Sequence, residues 1–115
     1  MVVYKFRKKI AIQNAAHLTE GVLADIIEKA EEKSYRKLIS EVGRRFIVFL
    51  IDMDLSRIEQ NKNGVLLIFD LKVDLEISPL SRKVAEQDRI AKEIADVFVN
   101  EIEREINKFL AKNSI

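Results

Sequence analysis

The sequence has no cysteine and no tryptophan, and it holds a single histidine, a single proline and three glycines among 115 residues. Without cysteine there is no disulfide, no thiolate nucleophile, no iron–sulfur cluster and no cysteine-based zinc site, and the redox compartment is left open. His17 has neither a second histidine nor a cysteine to complete a catalytic or metal set, so it reads as a surface residue just ahead of a helix. Gly21, Gly43 and Gly64 stand apart, each where a helix end or a turn explains it, which leaves no glycine-rich phosphate loop. No apolar run approaches the roughly 18 to 20 residues of a membrane span. The basic amino terminus also lacks the apolar stretch and small-residue cleavage site of a secretory signal. These absences lead us to expect a cytoplasmic protein with no membrane contact, no cofactor, no metal and no catalytic residues.

What is present is patterning. A content of 48% apolar and 34% charged residues fits one domain over residues 1–115 with a modest core and an ion-paired surface. The net charge of +1 argues against bulk coating of nucleic acid. Leu67, Phe69, Leu71, Val73, Leu75 and Ile77 alternate with Ile68, Asp70, Lys72, Asp74 and Glu76, the period of a strand with one oily and one charged face. Phe46 to Ile51 is a continuous apolar run that resolves into Ile51, Met53 and Leu55 against Asp52, Asp54 and Ser56. The two segments predict a hairpin. A two-residue turn at Asn63-Gly64 would pair Asp52 with Leu75 and Asp54 with Val73, so the pattern rejects it. A three-residue loop of Lys62, Asn63 and Gly64, with Gly64 at positive φ, would instead pair Leu55 with Leu71, Met53 with Val73 and Ile51 with Leu75, leaving Asp54 opposite Lys72.

Val2, Tyr4, Phe6, Ile10 and Ile12 alternate with Lys5, Arg7 and Lys9, broken once by Lys8, and predict a further strand. A helical face through Val2, Phe6 and Ile10 is the rival reading. Helical spacing runs from Leu18 to Val42, with Thr19 as N-cap and Gly43 as stop, and its middle turn offers only Tyr35 to the core. A second helix follows Ser78-Pro79-Leu80-Ser81 through Ile90, Ile94, Phe98, Ile102, Ile106 and Phe109 to about Ala111. Asp88 is a candidate cap that would split off a preceding turn. The fold class is α+β: an antiparallel sheet built on one long hairpin with two helices on one face. The order is β-α-β-β-α, or α-β-β-α if the amino-terminal segment is not a strand.

Asp52, Asp54, Asp70, Asp74 and Glu76 share the charged face, where strand alternation and the neighbouring Lys72 favour an ion-paired stripe over a cation site. Lys5, Arg7, Lys8, Lys9, Arg44 and Arg45 form a candidate basic patch, with Tyr4 and Phe6 beside it for stacking on bases. Residues 1–16 carry four positive charges and no acid, whereas Asp52 to Glu76 carries six acids against three bases, so docking of the strand beside the hairpin is the favoured use of that charge. Phe46, Val48 and Leu50 fall on the sheet face away from the helices. A second helix of roughly 45 Å would overhang a compact core at Ile106, Phe109 and Leu110. These six are the candidate oligomer surface.

The order of pieces, carried by Asn63-Gly64, the alternation Leu67 to Ile77, Ser78-Pro79-Leu80 and the helix through Ile102-Glu103-Arg104, resembles a family of small archaeal proteins. Their genes lie near those for the beta subunit of prefoldin and a small subunit of the KEOPS tRNA-modification complex. The resemblance runs from about Leu18 to Leu110, and Met1 to Ala16 departs from it. It implies an archaeal, intracellular, non-enzymatic protein in a translation or protein-assembly context, with none of the shared motifs catalytic. The expected function is an interaction or assembly module, a homodimer or larger oligomer that also takes a protein partner. The alternative, not favoured, is weak RNA or DNA binding through the basic segment.

Overall fold

The computed structural model describes residues 2–43, 45–77 and 84–113, and for Phe46, Ile47, Val84 and Ala85 the backbone alone. Among these residues the order is β1 (Val2–Ile12), a 3-10 turn (Ala15–His17), α1 (Glu20–Val42), β2 (Phe46–Glu59), β3 (Val65–Ile77) and α2 (Val84–Asn113). The fold is α+β, with the sheet antiparallel in the order β1-β3-β2. The amino-terminal segment is therefore a strand, and it sits beside β3 with Tyr4 opposite Val73 and Phe6 opposite Leu71. Pairing at Phe6, Leu71 and Met53 puts the even positions of β1 on the same face as the odd positions of β3 and β2. That face carries the core: Leu67, Phe69, Leu71, Val73, Leu75 and Ile77 are all buried, against Ile90, Ile94, Phe98 and Ile102 of α2.

The hairpin register differs from the expected one by two residues. Leu55 faces Phe69, Met53 faces Leu71 and Ile51 faces Val73, so that Asp54 meets Asp70 and Asp52 meets Lys72. A slip of two keeps every side chain on its own face, and apolar matching cannot tell the two registers apart. The turn decides it. Pairing ends at Glu59 and Val65, and the longer loop from Gln60 to Gly64 is held by Gln60 N–H donating to Gly64 O (3.0 Å) and Asn63 N–H to the Asn61 side chain (3.2 Å). Ala15 N–H donates to Asn63 O (3.2 Å), tying the loop to the 3-10 turn. Gly64 is not at positive φ, contrary to expectation; among the described glycines only Gly43 is, at 64°. Gly64 is needed for space, since a Cβ there would lie 2.7 Å from Asn61 Oδ1.

Helix α1 begins as its sequence predicts, the Thr19 hydroxyl accepting from Val22 N–H (3.3 Å), and stops at Gly43, whose N–H donates to Ile39 O (2.8 Å). Its middle turn corrects the reading of Tyr35, which is exposed. The residue facing inward is Ser34, fully buried, its hydroxyl donating to Ala30 O (2.8 Å). Small side chains at Ala30 and Ser34 leave room on this face for the helix packed against it. Helix α2 is continuous from Val84, so Asp88 is an interior residue and caps nothing; Ser78 and Ser81, which the sequence also offers as caps for this helix, lie outside the described residues. Gln87 takes a role the sequence did not suggest, its buried Oε1 accepting from Ile77 N–H at the end of β3 (3.3 Å).

The expected overhang of α2 does not occur at Ile106, which is buried, and Phe109 and Leu110 are half-buried against the core. The molecule is elongated, 53 × 22 × 18 Å. Thirty helical residues at 1.5 Å span about 45 Å, and the thirteen residues of β3 at 3.3 Å span about 43 Å, so helix and sheet match in length.

Candidate interaction surface

Both described helices lie on one face of the sheet, and no described element covers the opposite face, hereafter the open face. Its side chains come in rows set by the register. Val3, Asp74 and Leu50 lie side by side; Lys5, Lys72 and Asp52 form the next row, and Arg7, Asp70 and Asp54 the one after. Lys9, Ile68 and Ser56 follow, then Ala11, Leu66 and Ile58. A charged belt therefore crosses the middle of the face, with apolar groups at both ends. Across the belt the sign changes: the β1 edge is basic, the β2 edge acidic.

Three of the large apolar side chains that are most exposed stand on this face, Val3 at 45%, Leu50 at 50% and Ile58 at 46%. Between Val3 and Leu50, Asp74 is only 9% exposed, and its buried Oδ1 has no hydrogen-bond partner among the described residues, while Oδ2 lies 3.7 Å from Lys72 Nζ. An open depression of about 710 Å³ crosses the belt, bordered by Lys5, Arg7, Asp52, Asp54, Asp70 and Lys72. Arg7 reaches Asp70 through two hydrogen bonds, Nε to Oδ1 at 2.7 Å and Nη2 to Oδ2 at 3.1 Å. This pairing lowers the Asp70 pKa and raises that of Arg7. No cluster of acidic or histidine side chains among the described residues has the geometry to hold a metal ion.

The candidate residues from sequence are only partly brought together. Lys5, Arg7 and Lys9 share the open face with Asp52 and Asp54, as expected, but Lys8 points the other way and pairs with Glu103 of α2 (2.9 Å). Arg45 donates to Val42 O (3.0 Å), and Arg44 lies outside the described residues. The six basic residues thus do not form one patch. Val48 and Leu50 are on the open face opposite Glu76 and Asp74. A bulge between Phe46 and Val48 shifts Phe46 opposite Ile77, and the Phe46 side chain is outside the described set. Ile106 leaves the candidate surface because it is buried by its own chain. His17 is exposed at the 3-10 turn, beside Phe109 and Asn113.

Sequence reasoning missed Val3 and Ile58, although each is an apolar residue on the charged phase of its strand. It also missed the buried carboxylates between the helices. Lys29, Lys33 and Lys37 of α1, one turn apart, reach Glu105 (3.7 Å), Glu101 (2.8 Å) and Glu93 (4.0 Å) of the antiparallel α2. Arg104 adds contacts to Glu101 (2.6 Å) and Glu105 (3.1 Å). Hydrogen bonds from Arg104 and then Lys33 outweigh burial and bring the Glu101 pKa down to about 2.

No protein-family model matches the chain, and no curated protein does. Among solved structures it is similar to one from Thermococcus onnurineus NA1, at 19% identity and a TM-score of 0.59, covering 95% of this chain and 98% of that one. The likeness extends to the fold over nearly the whole length of both, in an archaeal protein.

Proposed function

We propose that this chain is an assembly module rather than an enzyme, and that the open face of its sheet is where another protein surface docks. The observation that carries the reading is the placement of Val3, Leu50 and Ile58, exposed together on that face. An antiparallel sheet is stable with one face in water, so openness alone requires no partner. On this reading the exposed apolar groups at the two ends of the charged belt are the contact points of a docked surface. A homo-oligomer is the expected arrangement and a different protein partner the second. The fold neighbour comes from an archaeon, which supports only the archaeal part of the resemblance, and a cytoplasmic setting goes with that reading.

The nucleic-acid alternative is less well supported, because Arg7 is held by Asp70 and Lys8 by Glu103 on the opposite face. Leu50→Glu tests the reading. Self-association, or capture of a purified partner, is expected to be lost while the circular dichroism spectrum and melting temperature are kept. Unchanged association in Leu50→Glu, or a nucleic-acid mobility shift with steep salt dependence in its place, contradicts it.

A further inference from the structure

The open face has a handed charge layout, and that layout selects one way of covering it. Resting on the docking reading above, we infer that the occupant is a second copy of this chain, stacked sheet on sheet about a two-fold axis that runs along the strands. Such an axis exchanges left and right but not the two ends. It places the basic β1 edge over the acidic β2 edge of the other copy, Lys5 against Asp52 and the Arg7–Asp70 pair against Asp54, twice by symmetry. It also sets Val3 over Leu50 of the second copy. An axis across the strands would instead put β1 over β1 and β2 over β2, basic against basic and acid against acid.

Edge-to-edge pairing is disfavoured by the same residues. Two β1 edges would align lysines and arginines, two β2 edges aspartates, and β1 against β2 would be head-to-tail and propagate without closing. The same axis lays the central β3 over β3 of the second copy, so Asp70, Lys72 and Asp74 meet their own counterparts, and the favourable charge of the stack rests on the two β1–β2 pairings. Three strands about 4.8 Å apart and about 40 Å long give roughly 600 Å² of footprint per copy, or about 1,200 Å² in total, at the lower end of stable protein interfaces.

The chain has no cysteine, so a single introduced thiol is unique. Val3→Cys and Leu50→Cys proteins, each carrying a different mass tag, are mixed and treated with a short bis-maleimide. The expected result is the mixed Val3→Cys with Leu50→Cys product, with neither variant cross-linking to itself. Self-products without the mixed one overturn the strand-parallel axis, as does a species of dimer mass with no product at all. In both cases a dimer that dissociates on Leu50→Glu keeps the reading of the face. A monomer that captures a different protein through Leu50 overturns self-pairing alone, and a monomer indifferent to Leu50→Glu overturns both.

Discussion

Gly43 and Gly64 hold their positions for different physical reasons, and substitution separates them. At Gly43 the backbone is at φ 64° with nothing within 4 Å of an added Cβ, so Gly43→Ala meets conformational strain alone and is expected to cost about 1 kcal/mol in urea unfolding. At Gly64 the obstacles are the side chains of Asn61 and Gln13 (Nε2 at 3.1 Å), which can rotate away, Asn61 giving up its bond from Asn63 N–H. A smaller loss, about 0.5–1 kcal/mol, is expected for Gly64→Ala. Equal losses at both sites, or a larger one at Gly64, contradict the assignment. Glu101 sets an acid limit on stability. Its folded pKa is depressed to about 2 from an ordinary value of 4.5, so its contribution is complete above about pH 4.5 and is lost as pH falls toward 2. Glu101→Gln is expected to destabilise by about 1–3 kcal/mol at pH 7, and the gap between variant and parent to close near pH 2. A gap that stays constant across that range rules out the ionised carboxylate as the cause.

At the scale of elements, β1, α1 and the face assignment of the hairpin were legible in the sequence because each depends on period and caps. Thr19 and Gly43 cap α1 as read, and the odd positions of β3 are the buried ones. The register was not legible, because shifts of two preserve the alternation of Leu67 to Ile77 and only the loop from Gln60 to Gly64, tied to Ala15, distinguishes them. Ser34 was missed for a related reason: a helix–helix contact selects small volume at that turn, which hydropathy scores as polar. Ser34→Ala is expected to be nearly neutral, since the hydroxyl bonds only within its own helix. Ser34→Leu is expected to cost about 1–3 kcal/mol through overpacking. Thermal unfolding of the pair checks this, and a tolerated Ser34→Leu means that the helices do not meet there.

On the scale of the whole molecule, the elongated shape explains why the candidate surface was half legible. Leu50 and Val48 were placed on the open face by alternation alone, whereas the overhang assigned to Ile106 assumed a compact core, and strands of about 43 Å extend beneath that end of α2. What the described elements leave uncovered is the sheet face carrying Val3, Leu50 and Ile58. Sedimentation equilibrium at micromolar to millimolar concentration tests most directly whether that face joins molecules. The account predicts a species of twice the 13.3 kDa of one chain that dissociates with rising dilution and salt, and a monomer for Leu50→Glu with unchanged secondary structure. Monomer mass for the parent protein throughout, or a Leu50→Glu dimer as tight as the parent's, would contradict it.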